Sequence, residues 1–80
     1  MNKTVIVRLD EALSGGAKKI YFFADERSGP QQVTDVSSPD QLVSVLQGQG
    51  YSIVDNTSRV SGDRRITDWK LSKDFQTPWG

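Results

Sequence analysis

The chain contains no cysteine and no histidine among its 80 residues. The lack of cysteine excludes disulfides, thiolate nucleophiles and zinc–sulfur sites. The lack of histidine removes the side chain whose ordinary pKa lies nearest neutrality, and with it most triad, acid–base and metal-binding chemistry. These absences favour a protein that is not an enzyme, and we expect no catalytic residues, no metal and no cofactor.

Long hydrophobic runs and net charge are also missing. No apolar stretch approaches the roughly 20 residues that span a bilayer, and residues 1–4 lead into strand-like sequence rather than a signal peptide. We therefore expect a cytoplasmic protein with no membrane partner. Ten basic residues balance ten acidic residues, so no overall field draws the chain to nucleic acid, and such binding would need a local basic patch.

The length of the chain predicts one domain near the lower size limit for an unaided hydrophobic core. We interpret residues 1–74 as a single α+β domain and residues 75–80 as a C-terminal tail, which we expect to be loosely ordered. A domain this small often gains stability by pairing with a second copy, so a homodimer is one expected state.

One segment predicts a helix together with its start and its end. Ser38 can cap the first N–H groups, Pro39 suits the first helical position, and Gln41 completes a capping box. The helix is expected over residues 39–47. Two glycines after it can adopt the left-handed conformation that ends a helix, Gly48 and Gly50.

Alternating apolar residues predict strands on both sides of this helix. The predicted strands are residues 4–9, 18–24, 51–60 and 64–72, with a short polar third strand at 31–36 left open. Residues 10–16 are expected to form a loop or one helical turn, and residues 61–63 the tip of a hairpin. The order ββ(β)αββ predicts an α+β fold, a small antiparallel sheet of four or five strands with one helix packed on one face. The predicted core is Val5, Val7, Leu9, Ile20, Phe22, Leu42, Val45, Leu46, Ile53 and Leu71, with Trp69 beside it.

Adjacent aromatic residues on the second strand point to a second surface. Tyr21 and Phe23 must face away from Phe22, so one helix cannot bury all three. Either a loop residue such as Leu13 or the tail residue Trp79 covers the second face, or that face is an exposed patch for a partner or a second copy. We take Tyr21, Phe23 and Trp79 as candidate partner-binding residues, because tryptophan is also enriched at interfaces.

The predicted hairpin carries a basic group that offers an alternative. Arg59, Arg64 and Arg65 could contact phosphates, and Trp69 could stack on a base. Charged hairpins are also an ordinary device for solubility, and Trp69 shares a face with the core residue Leu71. The acidic residues offer less, because no third convergent group accompanies any pair of them.

The segment from Leu42 through Tyr51 to the turn at Gly62 resembles the helix–strand–strand core of HicA-type messenger-RNA-cleaving toxins. In that family a histidine follows the turn glycine and serves the cleavage, whereas Asp63 stands at that position in this chain, so the activity is not carried over. In size and layout the chain is also similar to small phage-encoded inhibitor or accessory proteins, which occupy the surface of a host protein. We therefore expect a non-enzymatic protein-interaction module that binds through a sheet face or edge.

Overall fold

A computed structural model describes residues 2–25 and 27–74 of the chain. Its elements are β1 (Asn2–Ala12), β2 (Lys18–Phe23), β3 (Gln31–Val33), α1 (Pro39–Gly48), β4 (Ser52–Ser61) and β5 (Arg64–Asp74). All five strands form one antiparallel sheet in the order β3-β2-β1-β5-β4. The α+β class and the predicted order of elements are confirmed. The third strand, which the sequence does not decide, is present but spans only Gln31–Val33 of residues 31–36. The predicted tail, residues 75–80, lies outside the described residues.

The centre of the sheet is the long ladder between β1 and β5. Asn2 pairs with Asp74 at one end of this ladder, and Ala12 pairs with Arg64 at the other. Residues 10–12, predicted as loop or helical turn, instead continue β1. They do so because the strands on both sides supply backbone partners. Glu11 pairs with Lys18 of β2, and Ala12 pairs with Arg64 of β5.

The helix begins and ends near the predicted residues, but with different contacts. Ser38 has the extended conformation of a capping residue (φ −149°, ψ 154°), yet its hydroxyl makes no capping hydrogen bond. Gln41 Oε1 instead accepts a hydrogen bond from the N–H of Ser37 at 2.9 Å. At the other end Gly50 has a φ of +100°. Its N–H and that of Tyr51 return to carbonyls of the last turn at 3.1 Å each, which is the Schellman arrangement. Gly50 therefore ends the helix.

The core lies between α1 and the centre of the sheet. The buried apolar residues are Val5, Val7, Ile20, Val43, Leu46, Tyr51 and Leu71. Packed against them and partly buried are the predicted core residues Leu9, Phe22, Leu42 and Trp69, together with Val33 and Val36.

Two predicted core residues are exposed instead. Val45 is 55% exposed and lines a groove between α1 and β3, because α1 turns Val43 and Leu46 toward the sheet. Ile53 is 43% exposed because it lies on β4, the outermost strand, whereas α1 packs against β1. Tyr51 is buried in its place, since the end of the helix brings it back against Leu46.

The described part of the chain is elongated, with extents of 53 × 22 × 19 Å. The helix has ten residues, so it is about 15 Å long and covers only part of the sheet. The hairpin of β4 and β5 turns at Gly62, whose φ of +60° suits the first central position of a two-residue turn. The turn thus takes the form predicted from residues 61–63.

Candidate functional site

The sheet face opposite α1, called the open face below, carries the side chains that alternate with the core positions of the central strands. The ladders place Ile6 beside Phe23 and Arg8 beside Tyr21. Across the β1/β5 ladder, Arg8 lies opposite Asp68. Two of the three predicted partner-binding residues, Tyr21 and Phe23, therefore lie side by side on this face and are partly buried by their neighbours.

Leu13, one of the two residues expected to cover this face, stays largely exposed. Leu13 is 47% exposed, and its backbone N–H donates to the carbonyl of Asp63 at 2.7 Å in the connection after β1. Trp79 lies outside the described residues.

The centre of the open face is a paired charge held against an aromatic ring. Arg8 donates from Nε to Asp68 Oδ1 at 2.8 Å and from an Nη atom to Asp68 Oδ2 at 3.2 Å. Its guanidinium also lies 4.9 Å from the centroid of the Phe23 ring, within cation–π range. The hydrogen bond that Arg8 donates to Asp68 is the main cause that raises the pKa of Arg8, against the opposing effect of partial burial. The two-pronged contact fixes both side chains.

We expect the Arg8–Asp68 pair to contribute a measurable coupling energy. In a double-mutant cycle with Arg8→Leu and Asp68→Asn, followed by urea unfolding, the coupling should be about 1 kcal/mol. The matched control is the pair of Lys18 and Glu11, which are 3.9 Å apart with 60% of the Lys18 side chain exposed. Its coupling should be near zero. Equal couplings in the two cycles would contradict a special role for the central pair.

The predicted nucleic-acid-binding residues are split between the two faces. Arg59 lies opposite Ile66, and the next pair along the ladder places Arg65 opposite Val60, on the other face. Trp69 lies opposite Val7 on the helix side and packs against the core. The structure therefore does not bring Trp69 or Arg65 together with the other two arginines.

Arg64 lies on the open face together with Arg59, but Arg64 already forms an ion pair with Asp10. Its Nε atom lies 3.3 Å from Oδ1 of Asp10, a side chain that is only 13% exposed. This oxygen is buried and, within the described residues, accepts no hydrogen bond, so the contact is an ion pair of imperfect geometry. A phosphate would have to compete with Asp10 for Arg64.

Asp25 belongs to one of the acidic pairs of the sequence, and its carboxylate serves a turn. Its Oδ1 atom accepts hydrogen bonds at 2.7 Å from the N–H groups of Arg27 and Ser28. These backbone bonds lower the pKa of Asp25. The group is fully exposed and its bonding is local, so a structural role accounts for it.

The two edges of the sheet are built differently. β3 has three residues and directly follows Pro30, so it offers little backbone for pairing. β4 has ten residues and is exposed at every one of them. It contains neither proline nor lysine, and Val54 and Val60 are 58% and 60% exposed. The outer side of β4 is called the free edge below.

β4 pairs with β5 through the backbone ladder, and two side-chain contacts add to this pairing. Asn56 Nδ2 donates to the carbonyl of Asp68 at 3.0 Å, and the hydroxyls of Ser58 and Thr67 are 3.3 Å apart. The ladder register shifts between Ile53 and Asp55, which marks a β-bulge.

The exposed edge of β4 is not among the sequence predictions, in which this strand is only one arm of a basic hairpin. The available signal was the weak apolar pattern of this strand, in which serine, threonine, asparagine and charged residues outnumber the apolar ones.

No known protein family, curated protein or solved structure matches the chain. Across residues 2–25 and 27–74, none of the helices is long and apolar enough to cross a membrane. The same residues contain no cluster of three or more side chains suited to hold a metal ion. The fold and the two surfaces define the class of molecule as a small α+β domain with a free sheet edge.

Proposed function

We propose that the chain is a non-enzymatic protein-interaction domain that binds an extended segment of a partner at the free edge. The observation that carries the proposal is β4 itself, a ten-residue strand that is exposed throughout and that, among residues 2–25 and 27–74, has a neighbouring strand on one side only. Such a strand presents a row of N–H and C=O groups that can pair with an added strand.

The side chains of β4 suit this mode of binding. Backbone pairing supplies affinity without regard to sequence, and side chains at alternate positions supply selectivity. Val54 and Val60 offer apolar contacts near the two ends of the strand, while Asp55 and Arg59 offer one charge of each sign. A small phage-type inhibitor or accessory protein would act in this way, by occupying part of a host protein.

The open face supports the same proposal as a second contact surface. Tyr21 and Phe23 supply aromatic area at low entropic cost, and the Arg8–Asp68 pair keeps the centre of the face rigid. A partner that reaches around the sheet from β4 would meet these residues.

The free edge can be tested with a displayed library of extended peptides selected against the immobilised protein. Selected peptides should slow hydrogen exchange at amides of β4 and leave those of β3 unchanged. The double variant Val54→Lys/Val60→Lys should lose about tenfold or more in affinity, because lysine on an edge strand opposes pairing.

The matched control is Val45→Lys, which introduces the same residue at a comparably exposed position on α1. It should bind the peptides as the wild type does. Selected peptides that protect no amide of β4, or that bind the double variant unchanged, would contradict the proposal.

Nucleic-acid binding through Arg59, Arg64 and Arg65 is the alternative. The observation that favours it is that Arg59 and Arg64 share the open face, although Asp10 already pairs with Arg64. This alternative predicts an affinity that falls steeply with salt, because phosphate contacts release counterions. Unchanged binding after replacement of all three arginines by alanine would exclude it.

A further inference from the structure

We infer that the strand added at the free edge is β4 of a second copy of the chain, so that two sheets join into one of ten strands. The inference rests on the proposed function in using the free edge, and it goes further by naming the partner and the register. Three features of β4 carry it: its regular ladder, the position of its two charges, and the small side chains between them.

The geometry of a strand limits how β4 can pair with itself. Successive residues alternate both in the sheet face of the side chain and in the direction of the backbone N–H and C=O groups. In an antiparallel pair, two residues directly opposite each other have their side chains on the same face of the sheet. Their backbone N–H and C=O groups also either both point toward the partner strand or both point away from it. A two-fold axis that relates two copies of β4 must therefore pass through a residue and not between two residues. The choice is limited further to the regular part of the ladder, Asp55–Ser61.

The two charges of β4 select one of these registers. Asp55 and Arg59 are four residues apart in the regular ladder, so both lie on the open face. An axis through Thr57 places Asp55 of each copy opposite Arg59 of the other, with Cβ atoms about 5 Å apart. An axis through Ser58 sets Arg59 opposite Thr57, and an axis through Asn56 sets Asp55 opposite Thr57. Neither of those registers forms an ion pair.

Asp55 and Arg59 are both positioned to form these ion pairs between two copies. The side chain of Arg59 is exposed and, among the described residues, makes no hydrogen bond or ion pair. The carboxylate of Asp55 accepts a hydrogen bond at 2.9 Å from the N–H of Asn56, which keeps it beside the backbone of the edge strand. Asp55 also lies opposite Lys70 in the ladder. In the paired sheets its carboxylate would lie between Lys70 and Arg59 of the second copy.

The residues around the axis leave room for close approach of the two strands. Thr57 would meet its own copy, and Asn56 would meet Ser58 on the helix side of the sheet. All three side chains are small and uncharged, so they do not hold the backbones apart. The chain as a whole has equal numbers of acidic and basic residues, so two copies do not repel each other at long range.

The test is a charge exchange followed by sedimentation velocity over a range of concentrations. The wild type should form a dimer. With Asp55→Arg, two arginines face each other at both of the 55/59 contacts between the copies. With Arg59→Asp, two aspartates face each other at the same contacts. Each single variant should therefore dimerise at least about tenfold more weakly. An equimolar mixture of the two variants should dimerise again, and the double variant Asp55→Arg/Arg59→Asp should match the wild type.

The control is Asp35→Arg, which makes the same change of charge in the loop before α1 and should leave dimerisation unchanged. Circular dichroism of each variant shows whether it is folded, which we expect because all three sites are exposed. A wild type that stays monomeric at every concentration would overturn the inference. So would a dimer that ignores the single charge changes, or a mixture that fails to restore it.

Failure of the dimer and failure of edge binding in general give different results in these experiments. If the wild type is monomeric but edge peptides still protect β4 amides, only the identity of the partner is wrong. If neither a second copy nor any peptide protects these amides, the proposed function fails as well.

Discussion

Replacement of Leu46 by aspartate is expected to unfold the domain. Leu46 is 7% exposed and packs in the same cluster as Val43 and the β1 and β5 core residues. A carboxylate at this position would be buried without a partner, which costs about 4 kcal/mol or more. A chain of 80 residues has a total stability on the order of 4–12 kcal/mol, and a domain this small is expected near the lower end of that range, where the loss equals the whole stability.

The same substitution one residue earlier provides the control. Val45 lies on the same helix but is 55% exposed, so Val45→Asp should lower the free energy of unfolding by less than about 1 kcal/mol. Thermal melting followed by circular dichroism compares the two variants. Equal destabilisation by both would show that α1 does not pack on the sheet through Leu46.

The second large effect is expected at Leu71, the fully buried residue of β5. Leu71 has no exposed surface and lies opposite Val5 in the central ladder. Leu71→Ala removes packed atoms from a strand that is paired on both sides, and the cost of the cavity adds to the lost burial. We expect a loss of about 3 kcal/mol, which corresponds to a melting temperature lower by about 15 °C.

The cross-strand neighbour of Leu71 again supplies a matched control. Ile53 lies directly opposite Leu71 on β4 and is 43% exposed. Ile53→Ala should cost less than about 1 kcal/mol, because water already reaches that side chain. If the two alanine variants melted at the same temperature, the core would not be centred on the β1/β5 ladder.

The class and order of elements could be predicted because local signals are strong. The helix begins at a proline after a serine, and it ends where a glycine allows a positive φ. The rotation of the helix could not be predicted. Val43 and Val45 both flank the apolar stripe, and the 3.6-residue period permits either to face the sheet. In the structure Val43 faces the sheet and Val45 does not, and this choice depends on the packing of the whole domain.

Part of the open face could also be predicted, because side chains alternate between the two faces along a strand. Adjacent aromatics on one strand must face opposite ways, which predicts Tyr21 and Phe23 on the second face, and the ladder places them there. The contact of Arg8 with Asp68 spans 60 positions of sequence, and nothing local indicates it. The free edge was missed because β4 is outermost only once β1 and β5 pair at the centre, and this pairing depends on the whole sheet.

The central ladder also determines when the core can form. The β1/β2 and β4/β5 hairpins have short connections and can form on a scale of about 1–10 μs. The ladder between β1 and β5 pairs residues that are far apart in sequence, such as Val5 with Leu71, so its closure entropy must be overcome before its contacts are gained. During synthesis Val5 and Val7 therefore stay uncovered by their β5 partners until that strand has left the ribosome, so the core cannot be completed before β5 emerges.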